Sequence, residues 1–584
     1  MLSLFWPARF YFFMVSPTLM RRNDSTRGAE LNLEAKHLFQ LIHLEKKGKN
    51  DAGDDTPKIS VSEMISKLSF VYEKIRNAVD YEEDHLLRKN AIIRILKRQV
   101  MIEGVLKESN SEQLATHLLA ELIRAGYLPN NKLPETKIKE TALLLEKYIR
   151  LKNHSVAQIN AQLNLKTDLN QAKILIGEKN TMVGWLLSLA ACEIEENFDL
   201  NRVKHAVVSS MFGILSKNLE LPASLPYQED LEIQTYLSIS RVFMRYDEAM
   251  LSLVLFKYYN ASWAGAEKDN LSDQEIINIA STLAVLKNRI DEQLTHPLVK
   301  QLDRLVKVYS LYYNILLENV QSDPVKAFED LSRDENKFIG NIRKTCAAKY
   351  HRENNRLWRK ALRSIIYIFL TKSIFVFLIE VPAIKWFKEP LNITSLIINV
   401  SFPAVLLFLI VLLSRTPDKK NTEKIVSGVK EIALVGMGRK QPILIRAPKR
   451  RHSATDFFFN FLYTAAFFAS SYGILKVLAW AHFNWVSMII FMFFLAFVSF
   501  FSIIVTKDIK DLIIVEKREN LIGFLLDLFY MPIIAVGKWL SEKASKVNVF
   551  VFFFDFIIEA PFKIFVEIAE DWTRYVKERK DNML

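Results

Sequence analysis

Apolar residues recur along this chain in two rhythms, and the change from one to the other comes near Arg363. From about residue 30 to 350 they fall at steps of three and four, the spacing of one face of an α-helix, between short polar breaks. Ser60 and Glu63 have capping-box spacing, and the following Met64, Leu68, Val71, Ile75 and Val79 share one predicted helix face that calls for a partner helix. Ser272 and Glu275 open a second such helix ahead of Ile276, Ile277 and Ile279. Breaks at 46–58, 126–135, 221–230 and near Pro297 divide the region into helical groups, and no sharp repeat of solenoid period runs through them. Residues 1–29 open with an apolar stretch interrupted by Pro7 and Arg9, too short to span a bilayer, with no basic segment before it and no cleavage site after it. A flexible or interfacial extension is expected there.

Beyond Arg363 the apolar positions become continuous. Runs at 364–384 and 396–413 form one predicted transmembrane hairpin, and runs at 456–480 and 485–505 form another. Two further apolar segments, 521–540 and 547–568, carry charges and make the count four spans, or six if both cross. The expected fold class is all-α: a multi-helix bundle over 30–350, membrane hairpins over 351–414 and 455–506, a basic loop over 415–454, and an amphipathic or spanning helical pair over 507–584. Composition agrees, since 16 glycines and 17 prolines in 584 residues leave few turn-formers for a strand-rich fold.

The net charge of +13 raises the question of nucleic acid, and its distribution answers it. Residues 337–363 hold nine Lys/Arg against one acid, and 415–454 hold eleven against three, so the excess flanks the apolar runs. Such placement points to membrane topology and anionic lipid rather than nucleic acid. Basic flanks stay on the cytoplasmic side, which puts the amino-terminal bundle and the carboxy terminus in the cytoplasm. Within 415–454, Arg439, Lys440, Arg446, Lys449, Arg450 and Arg451 are the candidate contacts for anionic headgroups or an acidic partner. "GMGRK" at 436–440 lies between two apolar triplets, "ALV" and "ILI", and predicts a short basic β-hairpin.

Charges inside the apolar runs are the remaining candidates: Lys372, Glu380, Asp527, Asp555, Glu559 and Lys563. Each costs roughly 2.5–3.5 kcal/mol near the centre of a bilayer, so each wants a partner or an aqueous path. Glu380, close to Lys385 and Trp386, is expected to mark the outer edge of the first span with its charge reaching headgroups. Lys372 lies deeper and should face other helices or snorkel, with Asp555 and Glu559 as candidate partners. Asp555, Glu559, Lys563, Glu567 and Asp571 recur every four residues, a polar stripe that either faces a bundle interior or lies along the interface; pairing within it favours the interface. Pro382, Pro532 and Pro561 would each free a backbone carbonyl, a possible ion ligand if the helix lines a path.

Chemistry outside the membrane is sparse. Glu34 with His37, and Glu82 with His85, have the Glu-x-x-His spacing of di-iron bundles, but such short matches arise readily on solvated helix faces. Cys192 and Cys346 are too few for a disulfide framework or a metal cluster, and no cofactor site or catalytic constellation is expected. The expected role is a binding or scaffolding module at a membrane, with a protein partner for the bundle; the alternative is a transporter or channel using the intramembrane charges.

Overall fold

The computed structural model describes residues 31–48, 57–77, 83–103, 110–164, 169–199, 201–265, 271–414, 416–436, 439, 441–447, 453–515 and 521–546, with a few single positions beyond. It is all-α apart from two very short strands and isolated bridges. In chain order the helices are α1 (Leu33–Gly48), α2 (Glu63–Asn77), α3 (Asp84–Glu103), α4 (Ser111–Arg124), α5 (Thr136–Asn164), α6 (Leu169–Phe198) and α7 (Arg202–Asn218). Strand β1 (Leu219–Glu220) precedes α8 (Leu231–Val242), α9 (Glu248–Tyr259), α10 (Ala261–Gly265), α11 (Asp273–Leu294), α12 (Val299–Ser322) and α13 (Pro324–Arg333). The apolar half holds α14 (Glu335–Phe375), a π turn (Val376–Glu380), α15 (Val381–Trp386), α16 (Ile393–Leu412), α17 (Lys419–Ala433), β2 (Ile443–Leu444), α18 (Ser453–Trp480), α19 (Trp485–Lys510) and α20 (Leu521–Lys546).

The helical body carries two hydrophobic cores in series. One gathers Ile92, Leu118, Leu151, Leu189, Phe256 and Trp263 from α3 to α6 and from α9 and α10, together with α11. The other gathers α1, α7, α12 and the first turns of α14 around Val207, Tyr313, Phe338 and Cys346. Helix α8 serves both, giving Ile233 and Leu237 to the first and Ile239 to the second. A helix buried on all sides tends to satisfy its own polar groups, and α8 does so in part: Thr235 and Ser240 hydroxyls donate to carbonyls four residues back, and Gln234 Nε2 donates to Gln293 Oε1 at 2.6 Å. The capping box of α11 forms as predicted, Ser272 and Glu275 exchanging side chain-to-backbone bonds.

The α2 face does not follow its pattern. Val71 and Ile75 are exposed, while Tyr72, Glu73 and Arg76 turn inward, and the helix begins at Glu63 rather than just after Ser60. The reason is polar: buried Glu73 pairs with Arg94 at 2.9 Å and accepts from Tyr127 Oη at 2.9 Å, and losing those bonds would leave several charged groups dry.

Four helical segments are long and apolar enough to cross a membrane: Glu335–Trp386, Ile393–Leu412, Thr455–Trp480 and Trp485–Lys510. Helix α20 is not among them, and residues 547–567 lie outside the described set. Helix α14 belongs to both halves. Its 41 residues run about 62 Å without a break, burying Phe338, Ile339, Ile342 and Cys346 in the body and Leu357 and Ala361 among the apolar helices.

The 415–454 connection is a part of the body, not a free loop. Helix α17 buries Ile425, Val426, Val429 and Ile432 in the second core, and Gly428 lies so close to the Tyr312 ring that a Cβ there would collide with it. The expected hairpin around 436–440 is absent from the described residues. Leu434 instead bridges Leu31, and β2 pairs in parallel with β1, Leu219 opposite Ile443. Both apolar triplets thus find their partners in the body, where burial outweighs a two-strand ribbon that is marginal on its own. Asn421 fixes the base of this arrangement: its Nδ2 donates to Leu512 O at 2.8 Å and Tyr350 Oη at 3.0 Å, and its Oδ1 accepts from Ile514 N at 2.7 Å. Asn421→Leu would leave those buried backbone groups unpaired at about 1–3 kcal/mol. We expect it to lower the melting temperature of the full chain in detergent, whereas Lys419→Ala at an exposed position should not.

Candidate functional site: a buried polar cluster among the apolar helices

Pro382 has no N–H to offer the carbonyl one turn before it, so the α-ladder cannot pass through unchanged. The chain answers with the π turn Val376–Glu380, closed by Val381 N–H to Val376 O. That turn changes which side chains meet. On an unbroken α-helix the eight residues from Lys372 to Glu380 overshoot two turns by about 80°. One extra residue lets two turns hold about 8.2 residues, which returns Glu380 to the face of Lys372. Because Cβ bonds tilt toward the helix amino terminus, Glu380 leans back toward the lysine.

The result is an ion pair inside the four-helix part. Lys372 Nζ stands 3.8 Å from Glu380 Oε2, with both side chains 0 % exposed. Asn399 Nδ2 of α16 donates to Glu380 Oε1 at 2.6 Å, and Ser487 Oγ of α19 donates to the same oxygen at 2.6 Å. The lysine ammonium lies 3.8 Å from the centre of the Phe494 ring and 5.6 Å from that of Phe375, a cation–π contact on two sides. Three buried polar atoms of this group have no hydrogen-bond partner: Lys372 Nζ, Glu380 Oε2 and Asn399 Oδ1. They belong to one cluster, and unmet polar atoms of this kind are uncommon in interiors.

This placement corrects one expectation. Glu380 does not reach headgroups: the π turn aims it inward, and Asn399 and Ser487 hold it there. Lys372 meets Glu380 of its own segment; Asp555 and Glu559, its candidate partners by sequence, and Lys563 lie outside the described residues. Asp527 is exposed and apart from the cluster. Pro382 itself is exposed. Asn399, Ser487 and Phe494 were not anticipated from sequence, although an asparagine inside the 396–413 apolar run was a signal of its own.

Of the basic candidates, Arg439 lies 3.9 Å from Glu431, and Arg446 is exposed with its backbone N–H and carbonyl both bonded to the Gln301 side chain. Lys440, Lys449, Arg450 and Arg451 lie outside the described residues.

A second buried acid, Glu193 in α6, is of another kind because its bonds are complete. It accepts from Tyr148 Oη at 2.6 Å and Trp263 Nε1 at 3.0 Å and lies 3.4 Å from Lys257 Nζ. Burial alone would push its carboxyl up, but Lys257, Lys147 and the two donors together hold it below the usual carboxylate range. No group of three His, Cys, Asp or Glu side chains among the described residues is placed to hold a metal; Glu34 instead accepts from Ser210 Oγ at 3.0 Å. Cys192 and Cys346 are free and buried, the latter's thiol pushed up to about 11 by burial. Comparison with protein-family models, with curated proteins and with solved structures finds no match to this chain.

Two outcomes follow for stability. Asn399→Leu removes a donor from a buried carboxylate, worth roughly 1.5–3 kcal/mol, and should lower the melting temperature in detergent, while Ile397→Leu on the exposed side of α16 should leave it unchanged. Glu193→Gln should cost about 2 kcal/mol near neutral pH, the order of a charge-assisted hydrogen bond. Because the folded carboxyl titrates below its ordinary 4.5, that contribution is complete above 4.5 and is lost as pH falls through the lowered value. Melting curves recorded stepwise downward from pH 7 should therefore separate wild type from Glu193→Gln widely at neutral pH, with the gap beginning to close only below 4.5.

Proposed function

We propose that this is a multi-pass membrane protein whose helical body, on the cytoplasmic face, is a binding or scaffolding module held in fixed orientation to the bilayer. The observation that carries the reading is the double attachment of body to membrane part. Helix α14 passes between them unbroken, and the connection between the two hairpins returns into the body's core through α17 and β2. Ion pairs tighten the same seam, Lys360 with Asp508 at 2.5 Å and Lys307 with Asp511 at 2.6 Å. A body held in this way presents its surface at a defined height and angle, which suits recruitment of a partner. Trp386 and Trp480 at the outer turns, and the basic flanks at the inner ends, support the orientation.

A second reading, transport, is favoured by one observation, the fully buried Lys372–Glu380 pair, since ionisable groups at such depth commonly mark a pathway.

Cys192 and Cys346 are buried, so single cysteines introduced at exposed Gln274 and Lys385 can be labelled selectively in intact membranes. An impermeant maleimide should reach Lys385→Cys from outside and Gln274→Cys only after the membrane is opened; the reverse pattern would overturn the orientation. For the role itself, full-length protein extracted gently should retain a stoichiometric partner and conduct no ions in liposomes. Ion flux that Glu380→Gln abolishes would select the transport reading instead.

A further inference from the structure

The donor and acceptor pattern at Glu380 fits a carboxylic acid better than a carboxylate. An ionised carboxylate has two equivalent accepting oxygens, whereas the protonated group has one oxygen that only accepts and one hydroxyl that donates. Here the two oxygens are sharply unequal. Oε1 takes hydrogen bonds from both Asn399 and Ser487 at 2.6 Å, the role of the carbonyl oxygen. Oε2 has none, and Asn399 Oδ1, an acceptor in the same cluster, has no donor. A proton on Oε2 would turn that unbonded acceptor into a donor.

The lysine is arranged to tolerate that proton. Its ammonium makes no hydrogen bond to the carboxylate and stands at 3.8 Å, but it lies over the Phe494 face with Phe375 on a second side. Those rings continue to stabilise the cation when its counter-charge is gone. All four side chains, Lys372, Glu380, Asn399 and Ser487, are excluded from solvent, so a ligand with volume would need the helices to part, and a proton would not.

We propose that Glu380 is a proton-binding site, taking one proton from the aqueous phase onto Oε2 and returning it, with the pair passing from net neutral to singly positive. Asn399 and Ser487 are positioning residues that hold Oε1, and Lys372 sets the affinity. The surrounding elements add little charge. Helix α16 carries no ionisable side chain, and on α19 the charged residues Lys507, Asp508 and Lys510 are at the far inner end. On α14 the nearest are Tyr367, which is exposed, and Arg363, nine residues from Lys372, while Lys385 on α15 is exposed at the outer end. No other charged group on these elements therefore faces the Lys372–Glu380 pair. The proposal is independent of the scaffolding reading, since a proton site can report on or adjust a rigid helix without carrying any flux.

Infrared difference spectroscopy of the full chain in bilayers, stepped from alkaline to acid pH, tests it by the carbonyl stretch of a protonated carboxylic acid. Wild type should gain a band with pH that Glu380→Gln lacks throughout, the amide of that variant accepting at Oε1 and donating where the proton would sit. Lys372→Met, which removes the cation and keeps an apolar chain, should retain the band and carry it to higher pH, so the site is read even if the first variant fails to fold. Identical pH-dependent carboxyl bands in wild type and folded Glu380→Gln, or a Lys372→Met band that moves to lower pH or vanishes, would overturn the proposal.

Discussion

The constraint on which the rest of this structure depends is the phase of one helix. Each residue of α14 advances the side chain by about 100°, so once Phe338, Ile339, Ile342 and Cys346 are set into the body, the direction of every side chain up to Phe375 is settled. Leu357 and Ala361 then fall toward the other apolar helices, and Lys372 into their interior. The body and the membrane part cannot be oriented independently. The π turn is the one place where the phase is reset, and it comes where Glu380 needs it to meet Lys372.

Closure where the body meets the apolar helices makes the same point with different chemistry. A connection of some forty residues between two hairpins would ordinarily be a surface loop. Here its apolar positions complete a core that the preceding 350 residues leave open, and Asn421 joins α14, α17 and the strand-like segment after α19 through four groups at once. Basic residues on α17 are then placed by packing into the body, which links part of the distribution of lysine and arginine to the architecture and not to topology alone.

Much of the architecture was legible in the sequence because it rests on long periodic signals. The apolar runs and the capping box at Ser272 each follow from local pattern. What was not legible depended on contacts between distant segments. The α2 face was misjudged because Arg94 and Tyr127, twenty and fifty positions away, draw Glu73 inward against its hydrophobic pattern. The triplets flanking "GMGRK" look like a ribbon until Leu31 and Leu219 offer better partners. Glu380 was read as an edge residue because counting along an α-helix cannot foresee a π turn, although Pro382 two positions later was the local cause. Lys372 and Glu380 were visible as costly residues; Asn399, Ser487 and Phe494, which make the pair tolerable, belong to other helices and gave only faint signals.

The central claim is that body and membrane part move as one unit. Val285 on α11 of the body and Lys385 beyond the π turn are exposed, and the native cysteines are buried, so spin labels at Val285→Cys and Lys385→Cys report the separation of the two parts without further change. Pulsed electron spin resonance on the full chain in bilayers should give a single narrow distance distribution. A broad or multiple distribution would contradict the account, since it would mean that α14 and the docked α17 do not fix the body against the membrane.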